Sequence, residues 1–278
     1  MRQPICNCKN CNNIGVHPIP VFKRNGGNAF LCDYHFNHNE GYHTKNNEKQ
    51  GTTKAHGITY GWEFETSFST PKARIEFTDN GYLPTHDATV NCEYKSPIMR
   101  GLNQLAKHCV TFNRLIVEGD LQVNEDCGTH LHIGGDALTP EAMSYIKRFY
   151  HSLFVPLSDT LQANPNATEA LFGRSLNYWS APIHDGCDVE KHTNFINMQH
   201  AHTIEFRACK FVNDKQYMQA VHFCDEVVKT VITNFVEHFN DTPKDTRRYP
   251  NQTAYRKHKA QTTAKKLVKL FEKYTANN

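Results

Sequence analysis

Three segments each set two charged or imidazole side chains two residues apart inside an apolar run, and that alternation constrains the fold more than any other feature. In Gly57–Phe68, Ile58, Tyr60, Trp62, Phe64 and Phe68 fall on one face of a strand while Glu63 and Glu65 project from the other. In Cys127–Gly134 the same period puts His130 and His132 opposite Leu131 and Ile133. In Thr203–Cys209 it puts Glu205 and Arg207 opposite Ile204, Phe206 and Ala208. A solvated antiparallel face also alternates, but it mixes Lys, Thr, Ser and Glu. Here the residue types are Glu-x-Glu, His-x-His and Glu-x-Arg. If these strands are neighbours, the carboxylates repel one another unless divalent cations sit among them, and carboxylate-rich ligation suits Mg or Mn. Arg207 cannot ligate a metal, but its guanidinium forks onto phosphate or carboxylate oxygens. The expectation is a metal floor that faces an anionic substrate. A fourth segment, Asp87–Pro97, offers Asp87, equally readable as a turn former, and Glu93, which alternates with Cys92 and Tyr94 ahead of a Ser-Pro turn.

The remaining periodicity mixes strands with helices without a regular alternation, which predicts an α+β fold rather than a doubly wound sheet. Helices are expected over 101–118, 139–163 and 214–239, with a strand over 202–211. The 214–239 helix carries Tyr217, Val221, Cys224, Val228, Ile232, Phe235 and Phe239 along one core-facing stripe.

Residues 1–40 read as a separate module. Cys8-Lys9-Asn10-Cys11 and Cys32-Asp33-Tyr34-His35 are two ligand pairs with zinc-knuckle spacing, in a segment with too little apolar surface to fold without a staple. Cys8, Cys11, Cys32 and His35 form the preferred set for a structural zinc, with Cys6 as a competitor. Residues 41–56 read as a polar linker, 57–240 as the main domain and 241–278 as a basic helical segment. The formal charge is only +3, yet the last 38 residues hold ten Lys/Arg against three Asp/Glu. The body is therefore mildly acidic, and a globally basic nucleic-acid binder is not implied. No stretch is apolar enough to span a bilayer, and the first residues lack the apolar core of a signal peptide. A reduced, cytoplasmic protein is the expectation, with Cys109, Cys187 and Cys224 as small buried hydrophobes.

Together these motifs resemble the amidoligase family, a branch of the carboxylate-amine ligase superfamily that also holds glutamine synthetases and glutamate-cysteine ligases. The shared order is Gly61–Glu65, Asp87–Pro97, Cys127–His132, Arg174, Lys191–Asn197 and Thr203–Arg207, and the resemblance covers about residues 57–240. It implies an antiparallel sheet of glutamine synthetase type and ATP-dependent amide formation, in which a carboxylate takes the γ-phosphoryl group and an amine displaces phosphate from the acyl phosphate. It also implies roles for single residues. Glu63, His130 and Glu205 would hold the Mg (or Mn) ion nearest the transferred group. Glu65 and Glu93 would hold the second ion, with His132 on ATP phosphate. Arg207 would stabilise developing charge, Arg174 would join the same anion cluster, and Lys191 and Asn197 would contact substrate. The partners implied are an amino-acid, peptide or protein carboxylate and an amine, which the resemblance does not identify further.

Two rival readings use the same residues. A metal-dependent hydrolase needs the same ion cage without ATP, but no His-Glu-x-x-His helix is present. A non-catalytic binding module would grip nucleic acid or protein with the zinc knuckle and the tail, where Arg247-Arg248-Tyr249 and Tyr255–Lys259 interleave aromatics with cations. The plainer account of the tail is a solvated helix whose Leu267, Val268, Leu270 and Phe271 dock on the body.

Overall fold

The computed structural model describes residues 17–20, 28–31, 58–85, 92–177, 180–241, 249 and 251–276. The zinc-ligand candidates Cys8, Cys11, Cys32 and His35, together with Asp87, lie outside the described residues. The chain divides into two compact units, Met1–Cys127 and Gly128–Asn278.

In the first unit a hairpin is formed by β1 (His17–Pro20) and β2 (Asn28–Leu31), which pair antiparallel. Further along, β3 (Thr59–Thr66), β5 (Leu83–Thr85) and β6 (Cys92–Lys95) form an antiparallel array with β6 paired to both others. Between them β4 (Phe68–Ser69) pairs with β7 (Leu121–Gln122). Helix α1 (Pro71–Asp79) starts where it does because Thr70 accepts a hydrogen bond from the Ala73 amide and Pro71 sits at the first helical position. Helix α2 (Leu102–Val117) matches the expected 101–118.

The apolar face of β3 is the core of this unit. Phe64 stacks on Phe112 of α2 with centroids 4.6 Å apart, Trp62 meets the same ring edge-on at 4.6 Å, and Phe77 of α1 stacks on Tyr94 at 3.8 Å. Each fully buried aromatic contributes about 1.5–3 kcal/mol of transfer free energy. Because side chains alternate, clamping Trp62, Phe64 and Tyr94 into this core forces Glu63, Glu65, Glu93 and Lys95 onto the opposite face.

The second unit holds β8 (Thr129–Gly134), β9 (Ile196–Asn197) and β10 (Thr203–Phe206), with β10 antiparallel to both neighbours. Its helices are α3 (Pro140–Arg148), α4 (Tyr150–Ala163), α5 (Pro165–Phe172), α6 (Asp214–Val231) and α7 (Gln252–Thr275). The single helix expected over 139–163 is two helices, broken at Phe149, whose backbone (φ −113°, ψ 16°) leaves the helical region. The break turns the Phe149 ring onto Phe235 and Phe239, at 5.5 and 6.0 Å. Asn213 caps α6 by accepting from the Gln216 amide, and the helix runs on through a π-helical turn, Ile232–Val236. The whole predicted stripe from Tyr217 to Phe239 is buried.

The basic C-terminal segment docks, as the plainer account of it expected. Helix α7 packs against α4 and α6, burying Ala260, Ala264, Leu267 and Phe271. Arg256 is part of that packing: its Nε donates to the Phe239 carbonyl at 2.8 Å, and its guanidinium lies 3.9 Å over the Phe239 ring.

Candidate functional site

In the first unit the polar face of the sheet gathers three carboxylates and one ammonium. Glu65 stands directly across from Glu93 in the β3–β6 register, and both are buried. Like charges opposite each other destabilise a sheet, and burial raises that penalty. Glu63 pairs in register with Lys95, whose Nζ lies 2.8 Å from Glu63 Oε1 and 3.1 Å from Glu93 Oε1. Burial works against the Lys95 charge, but the fields and hydrogen bonds of Glu63 and Glu93 outweigh it and hold its pKa well above the usual lysine value. Thr85 Oγ1 donates to Glu93 Oε1 at 2.8 Å and orients that carboxylate. An all-oxygen donor set with excess negative charge fits a hard divalent cation such as Mg²⁺ or Mn²⁺.

In the second unit one carboxylate sits among cations and imidazoles. Glu205 is 2% exposed, and its Oε1 accepts from Arg207 Nη1 at 2.6 Å. The same Nη1 lies 3.2 Å from His130 Nδ1 and 3.3 Å from His192 Nε2. Nη1 has two hydrogens for these three partners, so a ring nitrogen bonds to it only as an acceptor and shares the donor with Glu205. His130 Nδ1 also lies 3.6 Å from Glu205 Oε1. Arg207 is thus fixed from several directions, and its own amide donates to the Phe195 carbonyl at 2.9 Å. On the other side of the carboxylate, Glu205 faces His132 in the β8–β10 register, and His200 Nε2 lies 3.9 Å from Glu205 Oε2.

The remaining predicted residues are placed differently. Arg174 is buried just after α5, at a turn that only glycine permits. Gly173 has φ 78°, and a Cβ there would meet the Lys210 carbonyl oxygen at 2.5 Å. Lys191 is exposed, and its carbonyl accepts from the buried Asn197 amide group at 3.2 Å. Asn197 Oδ1 in turn accepts from the Gln199 amide, so this side chain knits the chain on either side of β9. Cys127 is buried in a turn where its amide and thiol both reach Asn124 Oδ1.

Three residues that the sequence reading passed over join these clusters. Lys95 alternates with Glu93, so the period-two argument that selected Glu93 selects it as well. His192 lies inside the Lys191–Asn197 segment. His200 sits in the loop between β9 and β10, where no period applies.

A family model described as "putative amidoligase enzyme" matches residues 31–179, just over half of the chain. The chain belongs to the amidoligase family. The match takes in the Glu63/Glu65 strand, Glu93, the His130/His132 strand and Arg174, and it ends before β10. Glu205 and Arg207 are tied to the matched region through the pairing of β10 with β8. No curated protein matches the chain. Membership in an amidoligase family supports a ligase-type enzyme. No helix among the described residues is long and apolar enough to cross a membrane.

Proposed function

We propose that the chain is an ATP-dependent carboxylate-amine ligase that forms an amide or peptide bond through an acyl phosphate. The observation that carries this reading is a buried guanidinium, Arg207, held in place by Glu205, His130 and His192, in a chain of the amidoligase family. A positive charge anchored before substrate arrives stabilises charge that develops on a transferring phosphoryl group without reorganising at that moment.

In this reading Glu65 and Glu93 bind one Mg²⁺ or Mn²⁺, and Glu63, His130 and Glu205 bind another, as the family resemblance implies. Such ions supply neutralisation of the phosphate oxygens when bound. His132 orients the ATP phosphates. Arg207 stabilises the phosphoryl group, and Arg174 adds to the binding of the anion. Lys191 and Asn197 shape the substrate end. Lys95 keeps Glu63 and Glu93 from repelling each other before an ion arrives. The substrates are an amino-acid, peptide or protein carboxylate and an amine. A structural zinc on Cys8, Cys11, Cys32 and His35 completes the reading, since those two ligand pairs flank the β1–β2 hairpin in sequence. The docked face of α7 leaves its outward lysines as a secondary surface for nucleic acid.

The test is mass-spectrometric detection of ADP and of new amides from ATP, Mg²⁺ and a pool of amino acids and short peptides, with Glu65→Gln as the control. ADP together with a product one water lighter than its reactants, both lost in the variant, supports ligation and names the substrates. Cleavage of amides without ATP would replace it with the hydrolase reading. No reaction and no nucleotide binding would leave the knuckle and tail as a binding module.

A further inference from the structure

Glu205 presents its two oxygens to different partners. Oε1 is taken by Arg207 at 2.6 Å, while Oε2 faces His200 Nε2 at 3.9 Å. His132 approaches from the adjacent strand, directly across from Glu205 in the register, so its position is set by backbone pairing. The His132 and His200 rings meet edge to face with centroids 5.1 Å apart. One ligand atom each from His132, His200 and Glu205 falls within 4.8 Å of the other two.

We propose that His132, His200 and Glu205 hold a divalent transition-metal ion. Two ligands at about 2.0–2.2 Å from one tetrahedral ion lie roughly 3.4 Å apart, so the three donors need to close by up to about 1.4 Å. A half-exposed histidine on a loop supplies that movement; His200 side-chain exposure is 50%, against 2% for Glu205. The same exposure gives the ion a way in. Two imidazoles and one carboxylate select a borderline ion such as Zn²⁺, Ni²⁺ or Co²⁺ over Mg²⁺, which takes oxygen ligands. The Arg207 hydrogen bond to Oε1 orients the carboxylate with Oε2 toward His200, the orienting role that an outer partner plays in metal sites.

His200 belongs to neither ligand set assigned to the ligation reaction, and the proposal rests on the geometry of the second unit rather than on that reaction. The ion would draw His132 away from a role on phosphate, so an excess of such an ion should inhibit ligation.

Calorimetric titration of Ni²⁺ into the full chain holding one equivalent of Zn²⁺ and no Mg²⁺ tests the site. The thiolates of the N-terminal set take the single Zn²⁺ ahead of imidazole and carboxylate, Glu205 stays open to Ni²⁺, and the Glu65→Gln comparison accounts for any Ni²⁺ on the carboxylate face. The native chain should bind one Ni²⁺, His200→Ala should bind it at least about tenfold more weakly, and Glu65→Gln should bind it as the native chain does. Ni²⁺ binding that His200→Ala leaves unchanged, or no binding by the native chain, would overturn the proposal. The two readings fail separately: lost ligation with intact Ni²⁺ binding counts against the reaction alone, and the reverse counts against this site alone.

Discussion

The carboxylate face of the first unit and the histidine cluster of the second are both buried polar surfaces on antiparallel strands, yet their charge balance is opposite. Glu63 and Glu93 share one ammonium from Lys95, with Glu65 across from Glu93. Glu205 has Arg207, His130, His132, His192 and His200 as its neighbours from the described residues of the second unit. In the proposed reading the first surface takes a divalent cation, and the second, which already holds the Arg207 guanidinium, meets an anion. Alternation alone makes both surfaces look the same in sequence; the side chains that balance them make the difference.

The largest expected effect follows from the fixed geometry of Arg207. Lysine keeps the charge, but its flexible stem does not hold a donor where the rigid guanidinium places Nη1, the nitrogen that reaches Glu205, His130 and His192. Arg207→Lys should lower kcat for ADP and amide formation by about 10²–10³-fold, the usual effect of removing one preorganised charge stabiliser. Its main effect should be on kcat, with a smaller change in Mg²⁺ requirement because Arg207 touches His130 and Glu205, whereas Glu65→Gln should chiefly raise the Mg²⁺ needed. A variant of Arg207 that shifted the Mg²⁺ requirement and left kcat intact would erase the contrast between the two surfaces.

The two surfaces were not equally legible. Glu63 and Glu65 could be assigned to one face because Trp62 and Phe64 alternate with them and pack on Phe112. Leu131 and Ile133 did the same for His130 and His132, since both are fully buried. Lys95 was on the same alternation but is a residue type that usually marks a solvated face, and only the cross-strand register shows it bridging two glutamates. His200 was not legible at all. It reaches Glu205 from a loop, where position depends on how Asn197 and its neighbours fold the chain rather than on any period. The break at Phe149 was hidden for a related reason: no glycine or proline marks it, and it arises from packing onto Phe235 and Phe239. The glycine that sets Arg174 is different again, because its requirement is the nearby Lys210 carbonyl, 37 residues along the chain from Gly173 and in neither period nor motif.

A smaller effect sharpens the first surface. Lys95→Met keeps the stem that lies along the sheet and removes the charge between Glu63 and Glu93. In metal-free buffer the variant should lose about 1–3 kcal/mol of stability, less than a fully buried pair because the Lys95 side chain is 27% exposed. Mg²⁺ should restore more stability to the variant than it adds to the native chain, because the ion replaces the missing ammonium. Thermal melts with and without Mg²⁺ read both quantities. An equal loss in both conditions would mean that Lys95 acts by packing and not as the counter-charge of a cation site.

The smallest effect separates a histidine of the first unit from those of the second. His108 on α2 meets the Tyr82 ring at 5.3 Å and borders a cavity of about 10 Å³ lined also by Phe77 and Phe112, too small for a ligand. Burial lowers its pKa to about 4, whereas in the unfolded chain it titrates near 6.5. The folded value is the depressed one, so the unfolded chain binds the extra proton as pH falls below about 6.5, and stability is lost from there down toward 4. Between pH 7 and 5 this residue should remove about 1–2 kcal/mol, allowing for its partial exposure. Denaturant melts of His108→Gln should therefore show a flatter pH dependence than the native chain across that window. A native slope in His108→Gln would mean that the acid sensitivity belongs to the histidine cluster instead, and that the first unit's imidazole is solvated well enough to be protonated without unfolding.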